Sequence, residues 1–163
     1  MAPGGIFLDR DGTINQEVNF LTTPEGLELI PRSADAIREA NQLGFKVLVV
    51  TNQSGIARGL LAESQLIEIH RKLAEKLREH DAHIDAIYYC PHQPGDSCSC
   101  RKPNTGMIDQ AKREFPLDLK RSFVIGDRLA DIQLGNNAGI PSILELTGYG
   151  KEELELCRQA KAP

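Results

Sequence analysis

With 163 residues, 40% of them hydrophobic, the chain is long enough to bury a core without disulfide staples, and one domain over 1–163 is the expectation. Lys and Arg number 19 against 23 Asp and Glu, a net charge of -4, so the basic excess that holds nucleic acid or a membrane surface is missing and neither partner is expected. No apolar stretch approaches the roughly 20 residues of a membrane span, and no basic N-terminal region leads into one, so a soluble, cytoplasmic, monomeric protein is expected.

The first stretch of note is Ile6 to Asn15, IFLDRDGTIN. Its apolar run with Gly on either side reads as a buried strand ending in a tight loop that carries two carboxylates, Asp9 and Asp11. Gln16 to Arg32, punctuated by Pro24, Gly26 and Pro31, reads as irregular chain over that loop. Ser33 is placed to cap a helix whose Ile37, Ala40 and Leu43 share a face, with Gly44 as its stop. Val47 to Val50 then predicts a buried parallel strand, delivering the polar loop Thr51-Asn52-Gln53-Ser54-Gly55 to the same edge. Leu66, Ile69, Leu73 and Leu77 make the apolar stripe of a helix over about Glu63 to Glu79, with His70 and His80 expected on its surface. A strand from about Ile84 to Cys90 follows, then a Cys-containing loop, and a helix with Met107, Ile108 and Ala111 ending near Phe115. Ser122 to Ile125 predicts another buried strand that presents Gly126-Asp127-Arg128 and Asp131. Ala130 to Ala138 should be helical, Ser142 to Leu146 a last strand, and Lys151 to Ala160 a closing helix. Strands alternating with helices imply a doubly wound, mainly parallel α/β sheet.

Ligands bind at the C-terminal strand edge of such a sheet, and that edge receives Asp9, Asp11, Thr51 and Asp127, with Lys102 nearby. Each loop taken alone is also an ordinary turn, since Asp, Gly, Thr and Asn are common turn residues. Together they fit phosphoryl transfer: one free carboxylate to attack phosphorus, a second within reach of a leaving oxygen, and hydroxyl and amide donors for phosphate oxygens. Asp9 beside Asp127 would repel unless a cation sat between them, and Mg²⁺ is the natural guest for hard oxygen ligands. A metal and a lysine together would neutralise the charge that makes phosphate monoesters slow to hydrolyse.

The loop Cys90-Pro-His92 to Cys98-Ser-Cys100 is a separate constellation. Three thiols and an imidazole match a tetrahedral Cys₃His zinc set, and four protein ligands with no open position argue for a structural Zn²⁺. A disulfide or reduced core cysteines are the alternatives, the former disfavoured by a cytoplasmic setting. Cys157 and His83 read as ordinary packing.

The chain resembles the haloacid dehalogenase superfamily of phosphatases. DRDGT matches the first motif of that family, Thr51-Asn52 the second, Arg101-Lys102-Pro103 the third, and Gly126-Asp127 with Asp131 the fourth. The likeness is greatest to its sugar-bisphosphate phosphatases, with the histidinol-phosphate phosphatase domain a near relative. It implies a Rossmann-like fold and a small-molecule sugar bisphosphate as substrate. It implies that Asp9 is the nucleophile, that Asp11 is the general acid and then base, and that Thr51 and Lys102 stabilise the phosphoryl group. Mg²⁺ would be held by the Asp9 carboxylate, the Asp11 main-chain carbonyl and Asp127, with Asp131 behind them. Glu17, Val18, Asn19 and Phe20, together with Asn52, Gln53 and Ser54, would line the sugar. Arg101 would recognise a distal phosphate, and Arg128, where the family often has lysine, would also touch substrate.

The family inserts its specificity caps between these motifs, yet here ordinary elements and the Cys loop already fill the intervals from Thr13 to Thr51 and from Thr51 to Lys102. An open site without a cap domain is expected. A histidinol-phosphate phosphatase, or a binding module without catalysis, remains the alternative.

Overall fold

The computed structural model describes residues 1–160 of the chain, so the last three residues of the expected unit lie outside it. Five strands, β1 (Gly5–Leu8), β2 (Lys46–Asn52), β3 (Ala86–Cys90), β4 (Phe123–Gly126) and β5 (Ser142–Leu144), form one sheet in the order β3-β2-β1-β4-β5, every neighbouring pair parallel. The helices are α1 (Ser33–Gln42), α2 (Glu63–Arg78), α3 (Gly106–Glu114), α4 (Leu129–Ala138) and α5 (Gly150–Gln159).

Side chains alternate across a strand, and the two resulting faces are covered by different helices. Leu8, Val47 and Val49 pack with Ala34, Ile37 and Ala40 of α1 and with Leu66, Ile69, Leu73 and Leu77 of α2. Phe7, Leu48, Val50 and Val124 pack instead with Met107, Ile108 and Ala111 of α3 and Leu134 of α4. The α2 stripe is wholly buried, and truncating a residue such as Leu73 to Ala would cost about 2–5 kcal/mol. This is the doubly wound parallel α/β architecture expected from the sequence.

The differences lie at element ends. Leu43 does not join the core, being 75% exposed where the chain leaves α1 and turns at Gly44 (φ 81) into β2. Ser33 is the first residue of α1 rather than its cap, because its hydroxyl donates to the Ile14 carbonyl at 2.9 Å. β3 begins at Ala86, two residues after the expected start, since Asp85 is turned to Lys46 and to the Val47 N–H. β5 stops at Leu144. Among the described residues no helix is long and apolar enough to cross a membrane, and no cap unit stands over the strand edge.

Candidate active site

The chain runs from β1 outward to β3 and then returns to the other side of β1 as β4, so the connections part between β1 and β4. Such a switch point opens a crevice at the C-terminal strand ends. Here it is a cleft of about 450 Å³ whose lining includes Asp9, Asp11, Thr51, Lys102, Arg101 and Arg128.

Asp9 follows the last residue of β1, and its own N–H donates to the Ile125 carbonyl of β4 at 2.9 Å. One carboxylate oxygen, Oδ1, receives the Arg10 N–H at 2.7 Å and faces Lys102 Nζ at 3.0 Å, which leaves Oδ2 as the free oxygen. Lys102 is buried and lies 2.6 Å from Asp131 Oδ1 on its other side. Burial alone would depress its pKa, yet Asp131 and Asp9 outweigh burial and hold it above the ordinary lysine value. Asn52 fixes the lysine's backbone from the end of β2, accepting its N–H at 3.0 Å and donating to its carbonyl at 3.3 Å.

Asp11 is held more tightly. Its Oδ1 accepts from Arg10 Nε (3.1 Å) and Nη2 (2.9 Å) and from Asn15 (2.9 Å), and its Oδ2 from Arg10 Nη2 (2.7 Å) and Gln53 Nε2 (2.9 Å). Burial pushes its pKa up, but Arg10, Asn15 and Gln53 outweigh burial and bring it below the usual carboxylate value. Gln53, expected to line the sugar, is thus occupied with Asp11 and also donates to the Thr51 hydroxyl at 2.9 Å.

Asp127, just past β4, is wholly buried beside Asp9. Its Oδ2 accepts the Tyr149 N–H at 2.9 Å, whereas Oδ1 is buried with no hydrogen-bond partner. Burial first, then the Asp9 carboxylate, push its pKa up to about 7. Two loops close on it: a Cβ added at Gly12 (φ 82) or at Gly148 would meet its Oδ2 at 2.1 Å. Carboxylate oxygens of Asp9, Asp127 and Asp131 come within 4.8 Å of one another. An orphaned buried oxygen beside a second carboxylate is the donor set a hard divalent cation requires, so the residues fit Mg²⁺. Asp131 differs from the other two, since Lys102 takes one of its oxygens and the Arg128 N–H (3.1 Å) the other. Burial, opposed by Lys102, lifts its pKa above the usual range.

The loop after Asn15 brings Glu17, Asn19 and Phe20 to the rim, while Val18 points away and is 48% exposed. Asn19 (φ 48) and Phe20 (φ 70) are both left-handed, a conformation fixed by the Asn19 N–H donating to Glu17 at 2.7 Å. On the opposite wall Arg128 was expected at the substrate, but its neighbours Tyr149 and Glu153 were not. The Arg128 guanidinium carbon lies over the Tyr149 ring, 3.5 Å from its centroid, and Arg128 pairs with Glu153 of α5 at 3.3 Å. Glu153 also accepts the Leu129 N–H that opens α4. No spacing ties residues 149–156 to the motifs, so only the packing of α5 against α4 reveals them.

Cys90, His92, Cys98 and Cys100 form one cluster, with Cys90 Sγ 3.1 Å from Cys100 Sγ and 3.8 Å from Cys98 Sγ, and His92 Nδ1 3.3–3.4 Å from Cys100 and Cys90. These separations exceed a disulfide bond by more than an ångström, and all described cysteines are free thiols. Burial and the neighbouring Cys100 thiol push Cys90 up to about 12, the condition a soft divalent cation would reverse. Three sulfurs and a nitrogen converging on one point fit Zn²⁺. Arg101, next in the chain, donates to the His92 carbonyl at 3.0 Å, and Asn104 to the Cys98 carbonyl at 2.8 Å, so this loop is tied to the cleft.

Comparison with known proteins agrees with this geometry. A family model described as HAD-hydrolase-like matches residues 99–162. A probable D-glycero-D-manno-heptose-1,7-bisphosphate 7-phosphatase of Thermoplasma volcanium is 44% identical over 123 residues, 76% of this chain and 84% of the relative. A D-glycero-alpha-D-manno-heptose-1,7-bisphosphate 7-phosphatase of Photorhabdus laumondii is 39% identical over 155 residues, 90% of this chain and 85% of its own. Among solved structures, the D,D-heptose 1,7-bisphosphate phosphatase of B. bronchiseptica, crystallised with magnesium and phosphate, aligns with a TM-score of 0.89 at 38% identity, covering 98% of this chain and 88% of that one. At this identity and coverage, and with the fold shared, the chain belongs to the haloacid dehalogenase-like hydrolases, in the D-glycero-D-manno-heptose-1,7-bisphosphate 7-phosphatase family of phosphoric monoester hydrolases.

Proposed function

We propose that the protein is a Mg²⁺-dependent phosphatase that removes the 7-phosphate of D-glycero-D-manno-heptose 1,7-bisphosphate, on the route to nucleotide-activated heptose for lipopolysaccharide core or surface-layer glycans. The observation that carries the chemistry is the state of Asp9, a residue that lines the cleft: one oxygen is fixed by Lys102 and a backbone N–H, and the other is free. The relatives' names supply the sugar.

Asp9 Oδ2 attacks phosphorus, and the bond to the sugar oxygen breaks as an aspartyl phosphate forms. Asp11 gives a proton to the departing alkoxide. A water then attacks the phosphoryl group, Asp11 takes its proton, and inorganic phosphate leaves with Asp9 restored. Lys102, buried at the floor of the site, balances charge on the phosphoryl oxygens, and the buried Thr51 hydroxyl donates to them. Held by Asp9, Asp127 and the Asp11 carbonyl, Mg²⁺ would supply the remaining charge neutralisation. Asp11 as described, with five donor contacts, is in its base form, and the acid form requires at least one donor to turn away. Arg101 and Arg128, from two different loops, are placed to receive the second phosphate, and Glu17, Asn19 and Phe20 to meet the sugar. Cys90, His92, Cys98 and Cys100 would hold Zn²⁺, which would fix the loop that carries Arg101 and Lys102.

The test is steady-state kcat/KM with Mg²⁺ on both anomers of the heptose bisphosphate, fructose 1,6-bisphosphate and histidinol phosphate. The expected result is a preference of at least about 10²-fold for a heptose bisphosphate, with the 1-phosphate retained in the product. A preference for histidinol phosphate would replace this reading with the alternative one.

A further inference from the structure

Arg10 stands between the two acids of the first motif, yet it takes no part in the cleft and its exposure is 0%. Its guanidinium turns inward. Nε and Nη2 grip the Asp11 carboxylate as a fork, and Nη1 lies 3.2 Å from Nε2 of His70, 60 residues away on α2. A guanidinium has only donors, so His70 receives this bond on an unprotonated Nε2 and carries its proton on Nδ1. Its ring lies beside that of Tyr89 at the end of β3, with centroids 6.0 Å apart, and the Tyr89 hydroxyl in turn donates to Glu63. The chain of contacts thus starts on a helix packed against the sheet and ends on a carboxylate at the cleft.

A fully buried arginine that does not line the cleft is explained by neither substrate binding nor surface solvation. Its planar fork fixes the carboxylate in two dimensions, which the single bonds from Asn15 and Gln53 cannot do alone. We propose that Arg10 is a positioning residue for Asp11 and that His70 holds Arg10 in place, so that α2 sets the direction of the acid–base carboxylate. This rests on the reading of Asp11 as acid and base.

The test compares kcat/KM on the heptose bisphosphate with kcat/KM on p-nitrophenyl phosphate, both with Mg²⁺. This parameter reports only the steps up to departure of the leaving group, and a sugar alkoxide needs a proton from Asp11 whereas p-nitrophenolate does not. Acid catalysis is worth about 10²–10⁴-fold, so a misaimed acid should lose a part of that. His70→Ala is expected to lower kcat/KM on the sugar substrate about tenfold and on p-nitrophenyl phosphate less than about twofold. His70→Gln, which retains an acceptor for Nη1, should recover most of the loss. Arg10→Lys keeps the charge and removes the fork, and about a 10²-fold loss confined to the sugar substrate is expected. Should Arg10→Lys show no cooperative melt, the two His70 variants decide alone. Equal losses on both substrates, no loss on either, or Gln no better than Ala would overturn the proposal. Asp11→Asn is the reference: if its own loss is equal on both substrates, the acid–base reading falls and this proposal with it. If Asp11→Asn is selective and the Arg10 and His70 variants are not, only the proposal falls.

Discussion

Asp11, on the β1–β2 wall of the cleft, receives five donor contacts from Arg10, Asn15 and Gln53, while Arg128 on the α4–α5 wall has one carboxylate partner, Glu153, and leaves 42% of its side chain exposed. The first wall is made of buried charges whose orientation is dictated by several partners at once. Each such contact acts at low effective dielectric, and breaking one leaves an uncompensated group. The second wall rests on one screened ion pair, worth about 0–1 kcal/mol. Bond breaking needs atoms held to fractions of an ångström, whereas holding the far end of a sugar phosphate does not. Changes on the buried wall should therefore appear in kcat, and changes on the open wall in KM.

The largest effect is expected at Asp9. Asp9→Asn removes the attacking oxygen, the partner of Lys102 and one carboxylate of the metal set together. Loss of a covalent nucleophile costs on the order of 10⁴- to 10⁶-fold in kcat. Phosphate release by the variant, measured in a preparation free of other phosphatases, should fall that far while the melting transition survives. Retention of a tenth of the activity would mean that the buried wall is scaffold rather than chemistry.

Next is the Cys loop, which leads directly into Arg101 and Lys102 and so serves both walls. Cys98→Ser should lose zinc, lower the melting temperature and reduce kcat/KM on the bisphosphate about 10- to 100-fold through misplaced cations. Metal content by atomic absorption and a thermal melt check this directly. A variant with unchanged zinc, stability and turnover would leave the cluster as an ordinary turn.

The backbone of this arrangement was legible because the signals were local. The run Val47 to Val50, the α2 stripe and the acids just past β1 and β4 each announce themselves within a few residues, and alternation of strand and helix then determines the shared edge. What escaped was the direction of single side chains. Arg10 in Asp-Arg-Asp reads as a polar loop residue, and nothing near it in sequence says that it turns inward to His70, which reads as a surface position on α2. Gln53 lines the cleft as expected, but that its amide nitrogen lies on Asp11 and Thr51 could not be read from the sequence. Glu153 lay in an expected helical tail and Tyr149 just before it, neither in a motif, and only the fold carries them to the cleft.

A smaller effect separates Asp127 from its neighbours. Its pKa in the folded protein, raised to about 7 by burial and Asp9, exceeds the ordinary value of 3.8, so without a cation the folded state binds a proton that the unfolded state does not. An acid shifted upward leaves stability unaffected below pH 4 and weakens it progressively as pH rises toward 7. Protein dialysed free of Mg²⁺ should accordingly lose melting temperature between pH 4 and pH 7 more steeply than Asp127→Asn, which lacks the titrating group. Added Mg²⁺ should restore the wild type, most at the upper end of that range, and leave the variant unmoved. Parallel curves for the two proteins would show that the buried wall tolerates its crowded carboxylates without a cation.

The smallest expected effect is the most direct test of the contrast between the walls. Glu153 places a negative charge beside Arg128 in a cleft that must accept a second phosphate, and the half-exposed pair is worth no more than about 1 kcal/mol. Glu153→Gln removes the charge but keeps an oxygen for the Leu129 N–H, so the start of α4 is preserved. Arg128, still stacked on Tyr149, then offers its full charge to the distal phosphate. KM for the bisphosphate should fall by about two- to fivefold, with kcat unchanged and KM for p-nitrophenyl phosphate unchanged, because that substrate has no second phosphate. The effect should shrink as salt is raised, as expected of exposed charges. A rise in KM, or a fall in kcat, would mean that Glu153 aims Arg128 as Arg10 aims Asp11, and the open wall would then be preorganised in the same way as the buried one.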